Sequence, residues 1–181
     1  LRQHMLADVA HELRTPLTVL QGNLRAILDD VYPLDKAEIA GLYDQTRHLH
    51  RLVNDLHELA QAEAGQLPLA RQPVNIVALV QDAVAILAPM AEAQDVTLRY
   101  LPPSGELVVA GDRARLTQVM QNLLTNALRH TPAQGEIVVT VARRAGQAEI
   151  AVQDNGDGID AQHLPYVFDR FYRTDRARDR D

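Results

Sequence analysis

Two long runs of apolar residues, spaced alternately four and three apart, occupy the N-terminal part of the chain. This heptad-like spacing predicts two amphipathic helices, each carrying one apolar seam. Residues 29–35 separate the runs, because Pro33 ends a helix and Asp35 can cap the next one. Gly65 suits the C-terminal end of the second helix. The seams consist of Leu6, Ala10, Leu13, Leu17, Leu20, Leu24, Ile27 and Val31, then Ile39, Leu42, Thr46, Leu49, Val53, Leu56 and Ala60.

An antiparallel helical hairpin of this kind has more apolar seam than it can cover by itself. The sequence therefore predicts that two copies of the chain pair about a two-fold axis into a dimeric four-helix bundle. The alternative is a hairpin that packs its seams on the C-terminal part of its own chain.

Composition restricts the fold and the partners. The chain has 181 residues, 46% of them hydrophobic but only 4% aromatic, so aliphatic side chains must fill the core. The absence of Cys excludes disulfides, thiolate zinc sites and Cys nucleophiles. A net charge of −6 argues against nucleic acid or an anionic membrane surface as the main partner. No apolar stretch approaches the ~20 residues that span a bilayer.

The residues after the hairpin have the pattern of an α/β domain. Residues 67–73 are interpreted as a linker, after which Asn75 can cap a helix. Residues 96–100 and 107–110 have strand character, and residues 112–129 have helical periodicity. Residues 137–141 and 148–152 flank a turn and predict a β-hairpin. We expect a mixed sheet covered on one side by helices. The inner face of the 112–129 helix is predicted to hold Leu116, Val119, Met120, Leu123, Leu124 and Ala127.

His11 is a candidate nucleophile at the edge of the first seam. It lies one residue past a seam position, so we expect its ring to be partly exposed, as an imidazole that accepts a phosphoryl group must be. Glu12 can take its proton, and Thr15, one turn further on, can hold a water. Pro16 costs ~3 kcal/mol inside a helix and predicts a kink just after His11. Taken alone, His11 would be an ordinary surface histidine; the whole string favours the functional interpretation.

Two further motifs suggest a nucleotide site. Asn122 and Asn126 share one helix face at i, i+4 spacing, and stacked amides suit Mg²⁺ with its waters or phosphate oxygens. Asp154 ends an apolar strand, where its carboxylate can accept a hydrogen bond from an adenine amino group. Gly156 and Gly158 let the following loop approach a flat base. The alternatives are two solvated asparagines and an ordinary Asp-Asn-Gly turn.

Together these motifs resemble the catalytic core of the sensor histidine kinases of two-component signalling. Residues 5–17, which include His11-Glu-Leu-Arg-Thr-Pro-Leu, resemble the H box of that family. Residues 112–127 resemble the N box, residues 154–159 the G1 box, and residues 168–173 the F box. Four boxes in the family's order cover nearly the whole chain. The substitutions Met5 for Phe and Ala10 for Ser are mild departures.

The resemblance implies a fold, domain boundaries and residue roles. A dimerisation and phosphotransfer hairpin would cover residues 1–66, and an ATP-binding α/β sandwich of the histidine-kinase type would cover residues 74–181. His11 would be the phosphoacceptor, Glu12 its acid–base partner and Thr15 a support for phosphatase activity. Asn126 would ligate Mg²⁺. The ATP-binding residues would be Asn122, Asn126, Arg129, His130, Asp154, Gly156, Gly158, Phe168 and Phe171.

The resemblance also implies partners and a location. A phosphohistidine needs an acceptor Asp, which the receiver domain of a response regulator would supply. The chain would be the cytoplasmic part of a membrane-anchored sensor, with the membrane segments outside these residues and no role for nucleic acid. The family's second Gly-rich box would follow the F box and is not within the 181 residues, so we expect weak activity from this chain alone. A non-catalytic dimerising scaffold and a different ATPase on the same nucleotide-binding fold remain as alternatives.

Overall fold

A computed structural model describes residues 2–168 and 172, with side chains from Leu13 onward. The chain divides into two compact units, Leu1–Pro68 and Leu69–Asp181. The first unit is helical, and the second is a mixture of helices and strands.

The first unit is the predicted helical hairpin. Helix α1 spans Arg2–Leu28 and continues through Pro16, and helix α2 spans Lys36–Glu63. Asp35 caps α2 as expected, since its Oδ1 accepts hydrogen bonds from the amides of Ala37 at 2.8 Å and Glu38 at 2.9 Å. At the other end Gly65 takes a left-handed φ of 66°, and the amide of Gln66 donates to the Gln61 carbonyl at 2.8 Å.

The two seams of the hairpin are only partly covered. No residue of α1 or α2 whose side chain is described is buried. Alternate seam positions are half-buried between the helices, whereas the intervening positions stay exposed, among them Leu17 at 43%, Leu24 at 44% and Val53 at 48%. The half-buried positions are Leu13, Leu20, Ile27, Leu42, Leu49 and Leu56. Half of each seam therefore lacks cover within the first unit.

In its described part, the second unit contains two small sheets, two α-helices and a short 3-10 helix, Leu164–Tyr166. In chain order the elements are β1 (Gln72–Asn75), α3 (Ile76–Ala93), β2 (Thr97–Leu101), β3 (Val108–Gly111), α4 (Arg113–His130), β4 (Glu136–Arg144) and β5 (Gln147–Asp154). Strand β1 pairs antiparallel with β3. The other sheet has the order β2-β4-β5, with β2 parallel and β5 antiparallel to the central β4. This is the mixed sheet that the sequence predicted.

The core of the second unit lies where α3 and α4 meet the sheet. Burial alternates along β4, where every second side chain from Ile137 to Val141 is buried. Asn75 caps α3 as predicted, accepting a hydrogen bond from the Ala78 amide at 3.3 Å. The largest fully buried side chains are Ile76, Leu79, Val80, Met120, Leu124, Ile137 and Val139.

Helix α3 is long and apolar enough to cross a membrane by length and composition alone. From the sequence, no apolar stretch was expected to approach the ~20 residues that span a bilayer. The inward-facing Leu79, Val80 and Ala83 of α3 are buried in the second unit, as in the core helix of a folded domain, so the length criterion is weak evidence here.

Two details differ from the sequence prediction. Gln72 and Pro73, assigned to the linker, belong to β1, where they pair with Gly111 and Ala110. A four-residue strand shows too little alternation to recognise, and the missing N–H of Pro73 is tolerated at a sheet edge. The predicted inner face of α4 was also too wide: Val119 is 51% and Leu123 45% exposed.

Candidate functional site

The outward face of α4 carries the two predicted asparagines. Asn122 and Asn126 are both exposed, while Met120, Leu124, Ala127 and Leu128 face the core. On a 3.6-residue helix the asparagines lie nearly opposite Leu124, so the core holds the helix in a fixed rotation and directs both amides outward. Val119 and Leu123 flank the asparagines on this outer surface. The face is thus polar at its centre and apolar at one side.

The loop after β5 is tied to the start of β4. Asp154 is the last residue of β5 and stands opposite Ile137 in the ladder. The next residue, Asn155, bonds Glu136 twice: its amide donates to the Glu136 carbonyl at 3.2 Å, and its Oδ1 accepts from the Glu136 amide at 2.8 Å. Asp154 Oδ1 accepts from the Gly156 amide at 3.0 Å. These bonds close the loop into one defined shape.

Gly156 brings this loop against the end of α4. A Cβ at position 156 would overlap the carbonyl oxygen of His130 and lie 2.8 Å from its carbonyl carbon, so only glycine fits. Gly158 differs, because a Cβ there would meet nothing within 4 Å, but its φ of 69° is left-handed. Position 156 requires glycine because a Cβ would not fit, whereas position 158 favours glycine because of its left-handed backbone.

The structure thus gathers several predicted site residues around one contact. The backbone of His130, the half-buried last residue of α4, meets Gly156, and Asp154 bonds the same glycine. Arg129 is exposed in the last turn of α4. One surface of the second unit therefore offers the carboxylate of Asp154 beside the end of the helix that carries the asparagines.

The remaining predicted residues lie elsewhere or outside the described part. Thr15 is exposed on α1. The backbone of His11 and Glu12 belongs to α1, but their side chains lie outside the described residues. Phe168 is almost fully exposed, and Phe171 lies outside the described residues. Nearby, the Tyr172 hydroxyl lies 2.5 Å from Nδ1 of His163.

Asn155 and Gly135 are positioning residues that the sequence did not assign. A Cβ at Gly135 would lie 2.9 Å from Asn155 Oδ1 and would overlap the side chain of Thr131, so this glycine makes room for the loop. Thr131 is buried, and its hydroxyl donates to the Ala127 carbonyl at 2.7 Å. A glycine directly before a strand was the available signal, but its partner is twenty residues away in sequence.

The resolved pKa shifts lie outside this surface. The amides of Ala70 and Arg115 hold the pKa of the Asp112 carboxyl below its usual value. Burial raises the pKa of Tyr100, whose hydroxyl donates to the Val77 carbonyl at 3.1 Å. A shallow cavity of about 300 Å³ near the end of α3 is lined partly by Ala88, Ala91, Val96 and Leu98 and includes none of the predicted site residues.

Two families match the chain, in the same order as its two units. The family described as "His Kinase A (phospho-acceptor) domain" matches residues 1–65. The family described as "Histidine kinase-, DNA gyrase B-, and HSP90-like ATPase" matches residues 111–181. The second match begins at the end of β3 and includes α4 and the loop after β5.

Individual proteins agree with the family matches. The signal transduction histidine-protein kinase BaeS of Escherichia coli is 34% identical over 180 residues, which are 99% of this chain and 38% of that protein. The histidine kinase AdeS of Acinetobacter baumannii has a structure with a TM-score of 0.78 and 29% identity, covering 87% of this chain and 78% of the other. A complex of histidine kinase ThkA with response regulator protein TrrA shares the fold, at 22% identity and a TM-score of 0.76, over 94% of this chain and 51% of that one.

A phosphoacceptor helical hairpin followed by an ATPase domain defines the class of protein-histidine kinases. Within that class, the chain belongs to the sensor histidine kinases of two-component systems. It spans less than half the length of the curated relatives it matches.

Proposed function

We propose that His11 takes the γ-phosphoryl group of ATP and passes it to an Asp of a response regulator. The observation that carries this proposal is the order of the two matches: a phosphoacceptor hairpin that contains His11 precedes an ATPase domain in one chain. A different ATPase of the same fold would not need the phosphoacceptor hairpin. A non-catalytic scaffold would not need the outward asparagines of α4.

The second unit binds ATP in this proposal. Asp154 accepts a hydrogen bond from the adenine amino group, and Gly156 and Gly158 allow the base to approach the loop backbone. Asn122, Arg129 and His130 on the outer and last turns of α4 bind phosphate oxygens or lie beside the base. Phe168 and Phe171 also bind ATP, as the resemblance of their segment to the F box implies. The support is the closed loop packed on His130, which places Asp154 beside α4.

Asn126 ligates Mg²⁺ in this proposal. The donor set fits, because Asn122 and Asn126 are both exposed on one face of α4 and each carries an amide oxygen. Mg²⁺ is commonly held by one or two protein oxygens together with waters and substrate phosphates, so it needs no protein cage. A bound Mg²⁺ would supply positive charge that offsets the charge on the phosphate oxygens.

The phosphoryl transfer requires one nucleophile and one base. A ring nitrogen of His11 attacks the γ-phosphorus and forms a P–N bond, while the bond to the β,γ-bridging oxygen breaks and ADP leaves with that electron pair. The Glu12 carboxylate accepts the proton of the opposite ring nitrogen as the P–N bond forms, so that the phosphorylated imidazole is neutral. The P–N bond then breaks when a carboxylate of the receiver attacks the phosphorus.

The hairpin acts as a homodimer in this proposal. The exposed half of each seam, which includes Leu17, Leu24 and Val53, is the surface that a second hairpin covers in a four-helix bundle. Without a second hairpin, this apolar stripe would stay exposed within the first unit.

A receiver domain docks on the same hairpin in this proposal. The complex of ThkA with a response regulator supports this type of partner. We place the docking surface on the outer side of α1 after His11, around the exposed Thr18, Gln21 and Arg25; Asn23, which the sequence also suggested, is half-buried. Thr15 positions a water that hydrolyses the phosphoryl group on the Asp of the receiver.

The chain belongs to a larger, membrane-anchored sensor in this proposal, of which it is a cytoplasmic part. The curated relatives carry names such as sensor protein and are more than twice as long as the matched region. We assign the dimerisation and phosphotransfer domain to residues 1–66, the joint to 67–73 and the ATP-binding domain to 74–181. The division at Pro68 and Leu69 supports this assignment, with Gln72 and Pro73 already part of the second unit.

Labelling with γ-³²P-ATP tests the proposal in the intact protein that contains this chain. We expect label that is stable to alkali and lost in acid, as phosphohistidine is. A His11→Gln variant should lose the label, while a His50→Gln variant, altered at an exposed residue of α2, should keep it. Label that survives His11→Gln would refute the assignment of the phosphoacceptor. An unlabelled wild type that still dimerises would favour the scaffold.

A further inference from the structure

Asp112 holds two parts of the second unit with one carboxylate. It lies between β3 and α4 and caps the helix, because its Oδ1 accepts from the Arg115 amide at 3.2 Å. Its other oxygen, Oδ2, accepts from the amide of Ala70 at 2.9 Å, a residue 42 positions earlier in the chain. A helix cap needs only the first of these bonds. The second bond ties α4 to the segment that arrives from the helical hairpin.

The bond to Ala70 shortens the joint between the two units. On one side, the amide of Gln66 still bonds back to the Gln61 carbonyl of α2 at 2.8 Å. On the other side, Ala70 is held by Asp112, and Gln72 begins β1 opposite Gly111. Only Leu67, Pro68 and Leu69 separate Gln66 from Ala70. At full extension, four Cα steps reach about 14 Å.

We infer that Asp112 is a positioning residue that clamps the joint between the two units to the first turn of α4. Helix α4 is the element that presents Asn122 and Asn126, so the clamp fixes the point at which the nucleotide-bearing unit is tethered. Without it, the next fixed point is Gln72, and the reach from Gln66 rises to about 21 Å. The consequence for catalysis rests on the proposed function: a longer tether lowers the effective concentration of one unit near the other by about twofold.

An Asp112→Asn variant separates the clamp from the cap. Asn is as good an N-cap as Asp, so α4 keeps its first-turn bond. Asn has a single side-chain oxygen, and its NH₂ group would face the N–H of Ala70, donor against donor. The matched control is Asp82→Asn, which removes the same charge from an ion pair with Arg113 at the start of α4, at 2.8 Å, without touching the joint.

Amide hydrogen exchange in the full chain tests the clamp without any need for kinase activity. We expect the Ala70 amide to exchange about tenfold faster in Asp112→Asn, because the variant loses the hydrogen bond that protects this amide. The amide of Ile76, bonded to the Leu107 carbonyl at 2.8 Å, and those of the α4 interior should keep their rates. Asp82→Asn should leave Ala70 unchanged. Unaltered exchange at Ala70, or equal acceleration throughout α4, would overturn the inference.

Kinetics of the intact protein then test the consequence of the clamp. The dissociation constant for ATP should be the same in wild type, Asp112→Asn and Asp82→Asn, whereas the rate of His11 labelling at saturating ATP should fall about twofold only in Asp112→Asn. An equal rate in all three proteins would show that the clamp does not position the units for transfer. Because the exchange measurement is independent of labelling, a failure of the His11 assignment would leave the clamp itself measurable.

Discussion

The two units of this chain solve the problem of apolar burial in opposite ways. The α/β unit encloses its own core, in which Leu124, Ile137 and Val139 have no measurable exposure. The hairpin has no buried side chain among those described, and half of its seam positions are exposed. One unit therefore encloses its own core, whereas the other leaves part of its apolar surface exposed.

This difference separates two kinds of stability within one chain. A self-contained core depends only on the folding of its own unit. A helix pair with an open seam depends on protein concentration, because association supplies part of its burial. In the proposed function, the hairpin dimer would hold the phosphoacceptor and the second unit would hold the nucleotide.

Truncation of the core of α4 should destabilise the second unit most. Leu124→Ala removes a fully buried side chain and should lower the free energy of unfolding by roughly 2–5 kcal/mol. The neighbouring Leu123 is 45% exposed, so Leu123→Ala should cost at most about 0.5 kcal/mol. Denaturant unfolding of both variants checks this, and equal losses would show that the assigned faces of α4 are wrong.

A charge placed on the open seam should break the dimer rather than the fold of the second unit. Leu24→Asp would bury a carboxylate between two hairpins and should weaken association by about a hundredfold or more, equivalent to roughly 2.7 kcal/mol. Gln21→Asp, on the exposed side of α1, is the control and should associate normally. Analytical ultracentrifugation over a range of concentrations measures both. Identical association would exclude this seam as the dimer interface.

The two glycines of the loop after β5 should respond differently to alanine. Gly156→Ala pushes a Cβ into the His130 carbonyl, so the loop must leave the end of α4, and nucleotide affinity should fall about tenfold or more. Gly158→Ala meets open space and has only the strain of a left-handed φ, about 1 kcal/mol. Calorimetric titration with an ATP analogue compares them. A larger loss in Gly158→Ala would indicate that contact with α4 is unimportant.

Acid should weaken the clamp at Asp112 by a small amount. Its pKa is lowered in the folded state by the Ala70 and Arg115 amides, so its bonds stabilise the native state above the unfolded pKa of 3.8. That contribution is lost as the pH falls from 3.8 through the lower folded value. The stability difference between wild type and Asp112→Asn should therefore shrink over this acid range. A difference that stays constant with pH would argue against ionisation of this carboxyl as the cause.

Local patterns were enough to predict much of this architecture. The seams predicted both helices, and Asp35 and Asn75 were recognised as caps because capping depends on a few adjacent residues. The i, i+4 spacing of Asn122 and Asn126 correctly predicted a shared face. Strand β1 was missed because its partner β3 lies more than thirty residues away and Pro73 is unusual in a strand.

The contacts that support the candidate site could not be predicted from local patterns. The width of the buried face of α4 depends on which elements pack against it, so Val119 and Leu123 were placed wrongly. The bonds of Asn155 to Glu136 and of Asp112 to Ala70 join residues 19 and 42 positions apart, and no local pattern marks such pairs.

The helical hairpin, its open seam and the outward asparagines could be predicted from the sequence alone, because each follows from periodicity within one element. The order of the motifs can be read directly along the chain. Only the tertiary structure decided that Gly156 must fit under the His130 carbonyl, and that Asp112 must bond a distant backbone amide. These features arise where separate elements meet. Close packing and hydrogen-bond geometry, rather than residue type, select the partners there.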